Sequence, residues 1–429
     1  MRYYVVLFFL TFSALFGAYL DGNGSAASVI TPVSASEDQC SVDVGTLLQA
    51  GYRYYPTVHA SRAMLKGAEA QMEGAKWNYF PTPSVEVSQR PERRGVTLRL
   101  DQPLWTGGKL DAQSDYAASQ AEEAQYSIAE QSYALAEKFI SLLQDFLQAK
   151  GEMQAFEEGK AHLSFLAQML DRRIAAGVSA DSDRELLHSR VAQIESDLIV
   201  AQSRYRMSRA QMELLIGQPL QCTITYDDRQ ILQQTLPLQA LKEALLQFNP
   251  SLKRLGAQVK TAQAEKLKAD AAPMPNLSVR AEYQDGSIYV NNPENSAFVY
   301  MALSFNPGAG LSAFSEMERA ASKIEQTRYE LRAKEEELKA SLVLDYTDYH
   351  KARNSLESMQ RTINASEQVL ESYTRLFIAG KRQWLDLVNT SRELTQYEVS
   401  LAGMKALLVG SAYRLALQSG QIALDEEQP

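Results

Sequence analysis

Two kinds of spacing alternate along the chain. Residues 44–77 and 237–271 place apolar side chains at helical intervals among Ala, Leu, Lys, Glu and Gln, and each stretch is broken once by a proline, Pro56 or Pro250. Strict alternation of apolar and polar positions follows over 84–90 and 96–102, most clearly in Val96-Thr-Leu-Arg-Leu-Asp101, and more loosely over 277–284 and 298–305. These four segments are predicted strands, separated by the turn Pro91–Gly95 in the first pair and the polar loop 285–295 in the second. Helical spacing then returns without a proline over 108–176 and 311–379, 69 residues each. A continuous helix of that length extends about 100 Å. Such a rod cannot be the core of a compact domain, so it must pack laterally along other helices in a coiled-coil-like array. Gly177 and Gly380 end the rods, and returning helices are expected over 183–216 and 386–418.

The chain is written twice. Pro81-Thr-Pro-Ser-Val85 aligns with Pro275-Asn-Leu-Ser-Val279 at an offset of 194. Val96, Leu98 and Leu100 align with Val299, Met301 and Leu303, and Ala176-Gly177 with Asp183 aligns with Ala379-Gly380 with Asp386, all at an offset of 203. One shift before the insertion and one after it mark two homologous halves, 28–218 and 237–420, joined by a linker at 219–236 and followed by a tail at 421–429. Each half reads helix, strand, strand, long helix, returning helix. The fold class expected is mainly α with a small antiparallel β part.

Met1-Arg2 and the uncharged apolar run 3–20, followed by small residues, predict a signal peptide over residues 1–27, with cleavage as late as 36. The competing reading is an uncleaved membrane anchor, since the run is just long enough to span a bilayer. Ser36-Glu37-Asp38-Gln39 before Cys40 is not the small apolar box that lipidation requires. Cys40 and Cys222 enter an oxidising compartment, where a bridge between them and a pair of unlinked thiols both remain open. No later segment reaches 18 apolar residues, so any entry of the exported chain into a membrane must use strands.

Composition narrows the function. With 52 acidic against 43 basic residues there is no basic field to hold DNA or RNA, and no nucleic-acid partner is expected. His59, His162, His188 and His350 are scattered, with no Cys or carboxylate at a metal-ligand interval, so neither a metal nor a cofactor is expected. Thr106-Gly-Gly-Lys109 imitates part of a phosphate loop, but Leu110 stands where Ser or Thr would hold magnesium, which makes it a turn. No nucleophile elbow or paired-histidine helix accompanies it. An enzyme is not expected.

The strands suit a transmembrane barrel with Val85, Val87, Val96, Leu98 and Leu100 toward lipid and Glu86, Thr97, Arg99 and Asp101 toward the lumen. The alternative is a small soluble sheet capping a coiled coil. Four strands cannot close a barrel, and open edges are not tolerated in lipid, so insertion would require several copies.

Gln102-Pro-Leu-Trp-Thr-Gly-Gly-Lys109, running from strand into rod, resembles the same stretch of TolC-like outer-membrane channel proteins. Phe377-Ile-Ala-Gly-Lys-Arg-Gln-Trp-Leu-Asp386 resembles their periplasmic tip motif, and Gly177 to Asp183 repeats its spacing. The resemblance covers nearly all of the mature chain. It implies a homotrimer in the outer membrane of a Gram-negative bacterium, whose 12 strands form one barrel continued by a 12-helix periplasmic tunnel. Trp105 then becomes an interfacial aromatic. The resemblance also implies a gate at the tips, with Arg382 matching its arginine and Asp183 and Asp386 its aspartates. Phe377 stands for an expected tyrosine and Asn389 for a second inner carboxylate. Read without the family, these charges are simply a solvated helix start, where Asp is favoured as N-cap.

Gly177, Gly380 and Lys381 would be docking tips for a periplasmic adaptor serving an inner-membrane ABC transporter. Gly380–Gln396 looks most like channels of type I secretion for large adhesins or toxins, which implies a secreted protein cargo and outer-membrane lipid as surroundings. Multidrug efflux is the alternative, and a periplasmic coiled-coil scaffold without a pore is a further one.

Overall fold

The computed structural model describes residues 41–90, 93–226, 236–285, 295–306, 312–422 and 424. The expected signal peptide and Cys40 lie outside the described residues, as do 91–92 of the first turn and 286–294 of the polar loop. In chain order the elements are β1 (Ser41–Asp43), α1 (Val44–Tyr54), α2 (Pro56–Trp77), β2 (Thr82–Arg90), β3 (Arg93–Trp105), α3 (Lys109–Ala175) and α4 (Asp181–Ile216). There follow β4 (Thr223–Thr225), α5 (Leu238–Phe248), α6 (Pro250–Ala271), β5 (Asn276–Asp285), β6 (Asn295–Ser304), α7 (Ala313–Ile378) and α8 (Trp384–Gln418).

The two prolines each open a new helix. Tyr55 and Asn249 are extended, as a residue before proline prefers, and Pro56 and Pro250 occupy the first helical turn, where the missing N–H has no partner to lose. Asn249 also caps, its Oδ1 accepting from Ser251 N at 3.0 Å and Leu252 N at 3.3 Å.

Three features differ from the sequence reading. The first strands are longer: β3 begins at Arg93, inside the expected turn, because Arg90↔Arg93 still pair, and it runs past residue 102 to Trp105. Its pairing with β5 shifts register between Pro103 and Trp105, a bulge that accommodates a residue with no N–H to give. The returning helices begin at Asp181 and Trp384, so Asp183 and Asp386 are the third residues of their helices; the N-cap positions are Ala180 and Gln383. Finally, β1 and β4 form a parallel pair in register Ser41↔Thr223, which three-residue segments do not announce by alternation.

The antiparallel sheet runs β2-β3-β5-β6. Below it α3 is the central rod. Its first half contacts α2 and α6, with Arg254 Nε to Glu130 Oε2 at 2.5 Å and Lys260 Nζ to Glu122 Oε1 at 2.7 Å. Its second half contacts α4 and α8 instead, while α7 passes from α6 to α8. Laterally the order is α2-α3-α6-α7 above and α4-α3-α8-α7 below, each four elements wide like the sheet, with α1 and α5 added where the two layers meet. The largest core lies where partners exchange: Leu47 and Tyr52 of α1, Phe139 and Leu143 of α3, Met212 of α4 and Tyr413 of α8 are all buried there. A second core fills the far end, around Leu170, Leu187, Phe377 and Leu387.

Candidate functional site

The sheet has two chemically opposite faces. On one, Val85, Val87, Leu98, Leu100, Val299, Met301 and Leu303 stand exposed, uncovered by any of the described residues. On the other, directly opposed residues pair by charge. Arg99 Nε lies 3.4 Å from Glu282 Oε2, and Arg280 Nε donates to Asp101 Oδ2 at 2.8 Å. Tyr300 Oη adds a bond to Glu282 Oε2 at 3.2 Å. Arg280 and Glu282 were not singled out from sequence, although their period-two polarity in β5 is the signal that locates them. No helix among the described residues is long and apolar enough to cross a membrane. Where strands meet helices, Trp77, Phe80, Leu104, Trp105 and Phe305 are exposed, and the adjoining turn is tied to α3 by Tyr79 Oη donating to Asp111 Oδ1 at 2.6 Å.

At the far end both helical hairpins turn through the same motif. Gly177 (φ 72) and Gly380 (φ 72) adopt the left-handed conformation that glycine takes without strain. The amides of Gly177 and Val178 donate to Ile174 O and Arg173 O, and those of Gly380 and Lys381 to Phe377 O and Leu376 O, satisfying the last carbonyls of each rod. Arg382 Nη1 lies 3.1 Å from Asp386 Oδ2, both side chains partly exposed. Its guanidinium also covers the ring of Tyr373 at 4.1 Å. Asn389 is exposed on the same helix.

Asp183 and Asp386 do not meet within one chain. Asp183 makes no ion pair among the described residues, and the neighbouring Arg184 binds Asp171 and Asp181 at 2.7 and 2.9 Å. At the repeat offset of 203, Ser179 stands where the second hairpin has Arg382.

Phe377, expected among the gate residues, is a core residue of the protomer. Only 4% exposed, it lies in the core joining the two hairpins, under the Arg173 guanidinium at 4.6 Å, and Arg173 Nη1 donates to its carbonyl at 3.0 Å. Ile363, Leu370 and Phe377 share a seven-residue spacing, which marks the core stripe of α7. The aromatic beside Arg382 is Tyr373, one turn earlier.

A polar node occupies the level where α3 changes neighbours. Arg414 Nε donates to Asp345 Oδ1 at 2.6 Å and its Nη1 to Gln144 Oε1 at 2.9 Å, while Gln418 Nε2 donates to Asp345 Oδ2 at 2.8 Å. Lower on α8, Glu398 keeps Oε2 buried without a partner. Burial, with the like charges of Glu158 and Glu367, pushes its carboxyl up to about 7. Cys222 is disulfide-bonded, and Cys40, the other cysteine of the sequence, lies outside the described residues; the register Ser41↔Thr223 aligns the residue after each.

A family model described as outer membrane efflux protein matches residues 241–421, essentially the second repeat. CusC, in a structure describing folding and transmembrane channel formation, superposes with a TM-score of 0.74 at 15% identity, over 87% of this chain and 91% of that one. The protomer has the TolC-like channel fold, and residues 241–421 match the outer membrane efflux protein family model. The outer membrane protein VceC from Vibrio cholerae shares this TolC-like fold with a TM-score of 0.69 and 14% identity, over 88% of this chain and 95% of that one. So does the open state of the Neisseria gonorrhoeae MtrE outer membrane channel, at 0.65 and 13% over 88% of each. At such identities the likeness is one of fold. No curated protein sequence matches the chain. The TolC-like element order recurs in both halves, so residues 44–216 build the same hairpins that the family model recognises in 241–421.

Proposed function

We propose that three copies of this chain form an outer-membrane exit duct, a 12-stranded barrel continued by a 12-helix periplasmic tunnel, that receives cargo from an inner-membrane transporter through an adaptor. The observation that carries this reading is the four-wide layer with open edges in the sheet and in the helical layers below it. β2 and β6 end the sheet, and α4 and α7 end the lower helical layer. Edge-to-edge closure satisfies the free strand hydrogen bonds, which lipid cannot. Those outer helices also carry exposed apolar residues, Ile199, Met207 and Leu214 on α4 and Tyr329 and Leu344 on α7, that such closure would bury. An uncovered apolar sheet face argues against a scaffold free in the periplasm. Adaptor tips would engage the turns at Gly177 and at Gly380-Lys381.

The tips would form the gate, with Arg382, Asp386, Asp183 and Asn389 toward the constriction. Exposed ion pairs are each worth about 0 to 1 kcal/mol, so such a gate yields readily to an inserting partner. Arg382→Ala in the purified trimer is expected to raise closed-state conductance several-fold in a planar bilayer. Unchanged conductance in both Arg382→Ala and Asp386→Ala removes the gate assignment.

For cargo, the resemblance of Gly380–Gln396 to type I secretion channels favours ABC transporter-driven export of a large protein such as an adhesin. The name of the matched family favours efflux of small molecules as the second reading. Deleting the gene should abolish export of a surface protein and leave drug tolerance unchanged. Intact export with raised drug susceptibility decides for efflux.

A further inference from the structure

Three contacts between α3 and α8 depend on a missing side chain. A methyl group at Gly151 would stand 2.5 Å from Ala402 Cβ, one at Gly159 2.3 Å from Thr395 Oγ1 and 2.7 Å from Ile194 Cδ1 of α4, and one at Gly410 2.2 Å from Gln144 Oε1. The pairs 144/410, 151/402 and 159/395 fall in a single antiparallel register, so along about 22 Å of helix the partner's side chains sit directly on glycine, with the closest backbone approach at Gly151 and Ala402. At the upper end Gln144 is held by Arg414 Nη1 at 2.9 Å. Below Gly159 the character of the contact changes: Leu163, Leu166 and Leu170 meet Phe377, Leu387 and Val388 through full-sized side chains. Close-packed backbones have no slack to slide, whereas a layer of long side chains can repack.

The geometry points to Gly151, Gly159 and Gly410 as positioning residues of the closure. They lock α3 to α8 as a fixed joint, and any parting of the hairpin tips takes place below Gly159 and Thr395. The inference rests on the reading of the tips as a gate. It assigns the two lower glycines different roles, because they occupy different places in the joint. Gly151 is bracketed by contacts above and below, so a wedge there strains the seam without tilting it. Gly159 is the last contact, about 12 Å below Gly151 and about 27 Å above the tip at Gly177. With the seam held at Gly151, a wedge of about 1 Å at that point displaces the tip, about 39 Å from Gly151, by about 3 Å.

The experiment uses the full-length trimer and four variants: Gly151→Ala, Gly159→Ala, Gly151→Ala with Ala402→Gly, and Gly159→Ala with Thr395→Ala and Ile194→Val, which together remove the atoms a Cβ at 159 would meet. Thermal melting in detergent tests the joint alone. Both single variants should melt lower than the wild type, and the compensating substitutions, by returning the space, should restore Tm. In an unobstructed helix alanine stabilises relative to glycine, so a raised Tm in the single variants overturns the joint. Planar-bilayer conductance tests the pivot. Gly159→Ala should raise closed-state conductance at least about twofold and Gly151→Ala should leave it unchanged, a split that loss of stability alone would not produce. Equal conductance changes in the two, or none in either, overturn the pivot. Absence of any conductance from the wild type and from Arg382→Ala alike would instead remove the channel reading, and the melting results would still decide the joint.

Discussion

Leu98→Arg is expected to abolish the heat-resistant trimer and leave the chain out of the outer-membrane fraction. Leu98 sits near the middle of β3 on the uncovered apolar face, opposite Val85 on one side and Tyr283 on the other. A cation on the lipid face near the bilayer midplane costs about 2–4 kcal/mol, and three copies bring the total to about 6–12 kcal/mol per assembly. That is comparable with the whole stability of an ordinary domain. Ser84→Arg supplies the control. Ser84 is paired with Arg99, one position along from the Val85–Leu98 pair and therefore on the opposite, polar face. The same charge there should leave the trimer in the membrane. Gel mobility with and without heating, on fractionated membranes, reads both. Equal tolerance of the two arginines would mean that the exposed face does not meet lipid.

The second large effect is expected from Asp345→Ala. The side chains of Asp345 and Arg414 are 8% and 21% exposed, and Asp345 accepts from both Arg414 and Gln418. Removing one member of a buried pair costs about 3–5 kcal/mol per chain, because the other charge stays buried without compensation. A pronounced drop in the melting temperature of the detergent-solubilised trimer is the expected result. The double substitution Asp345→Leu with Arg414→Met should recover most of it, since replacing both partners by apolar groups is often neutral. Failure of the single variant to lower Tm would show the node to be solvated in the assembly.

The two repeats, the rods and the glycine turns could be read from the sequence, because helical spacing over tens of residues and a constant offset leave little room for another period. Strand ends were less legible. Asn295 and Ser296 pair with Asp285 and Gln284 although neither side chain continues an apolar alternation, since ladder hydrogen bonds use backbone that every residue carries. The parallel pair β1–β4 joins segments 182 positions apart, and no local pattern encodes such a contact.

At the tips the charged residues could be found but not their environments. Phe377 stands five residues before Arg382 in the tip motif, yet the heptad stripe of α7 turns it into the core and leaves Tyr373 to receive the guanidinium. Asp345 gave a clear sign that went unread: a carboxylate at a stripe position between Leu342 and Tyr349 needs a buried partner.

The difference between Ser179 and Arg382 bears on whatever docks at the tips. In a ring of three chains the six hairpins end in the same glycine turn, so in shape the rim repeats every 60°. In charge it repeats only every 120°, because alternate tips carry the arginine stacked on Tyr373 and the others carry serine. A docking protein that reads backbone shape meets six equivalent positions there, and one that reads charge meets three.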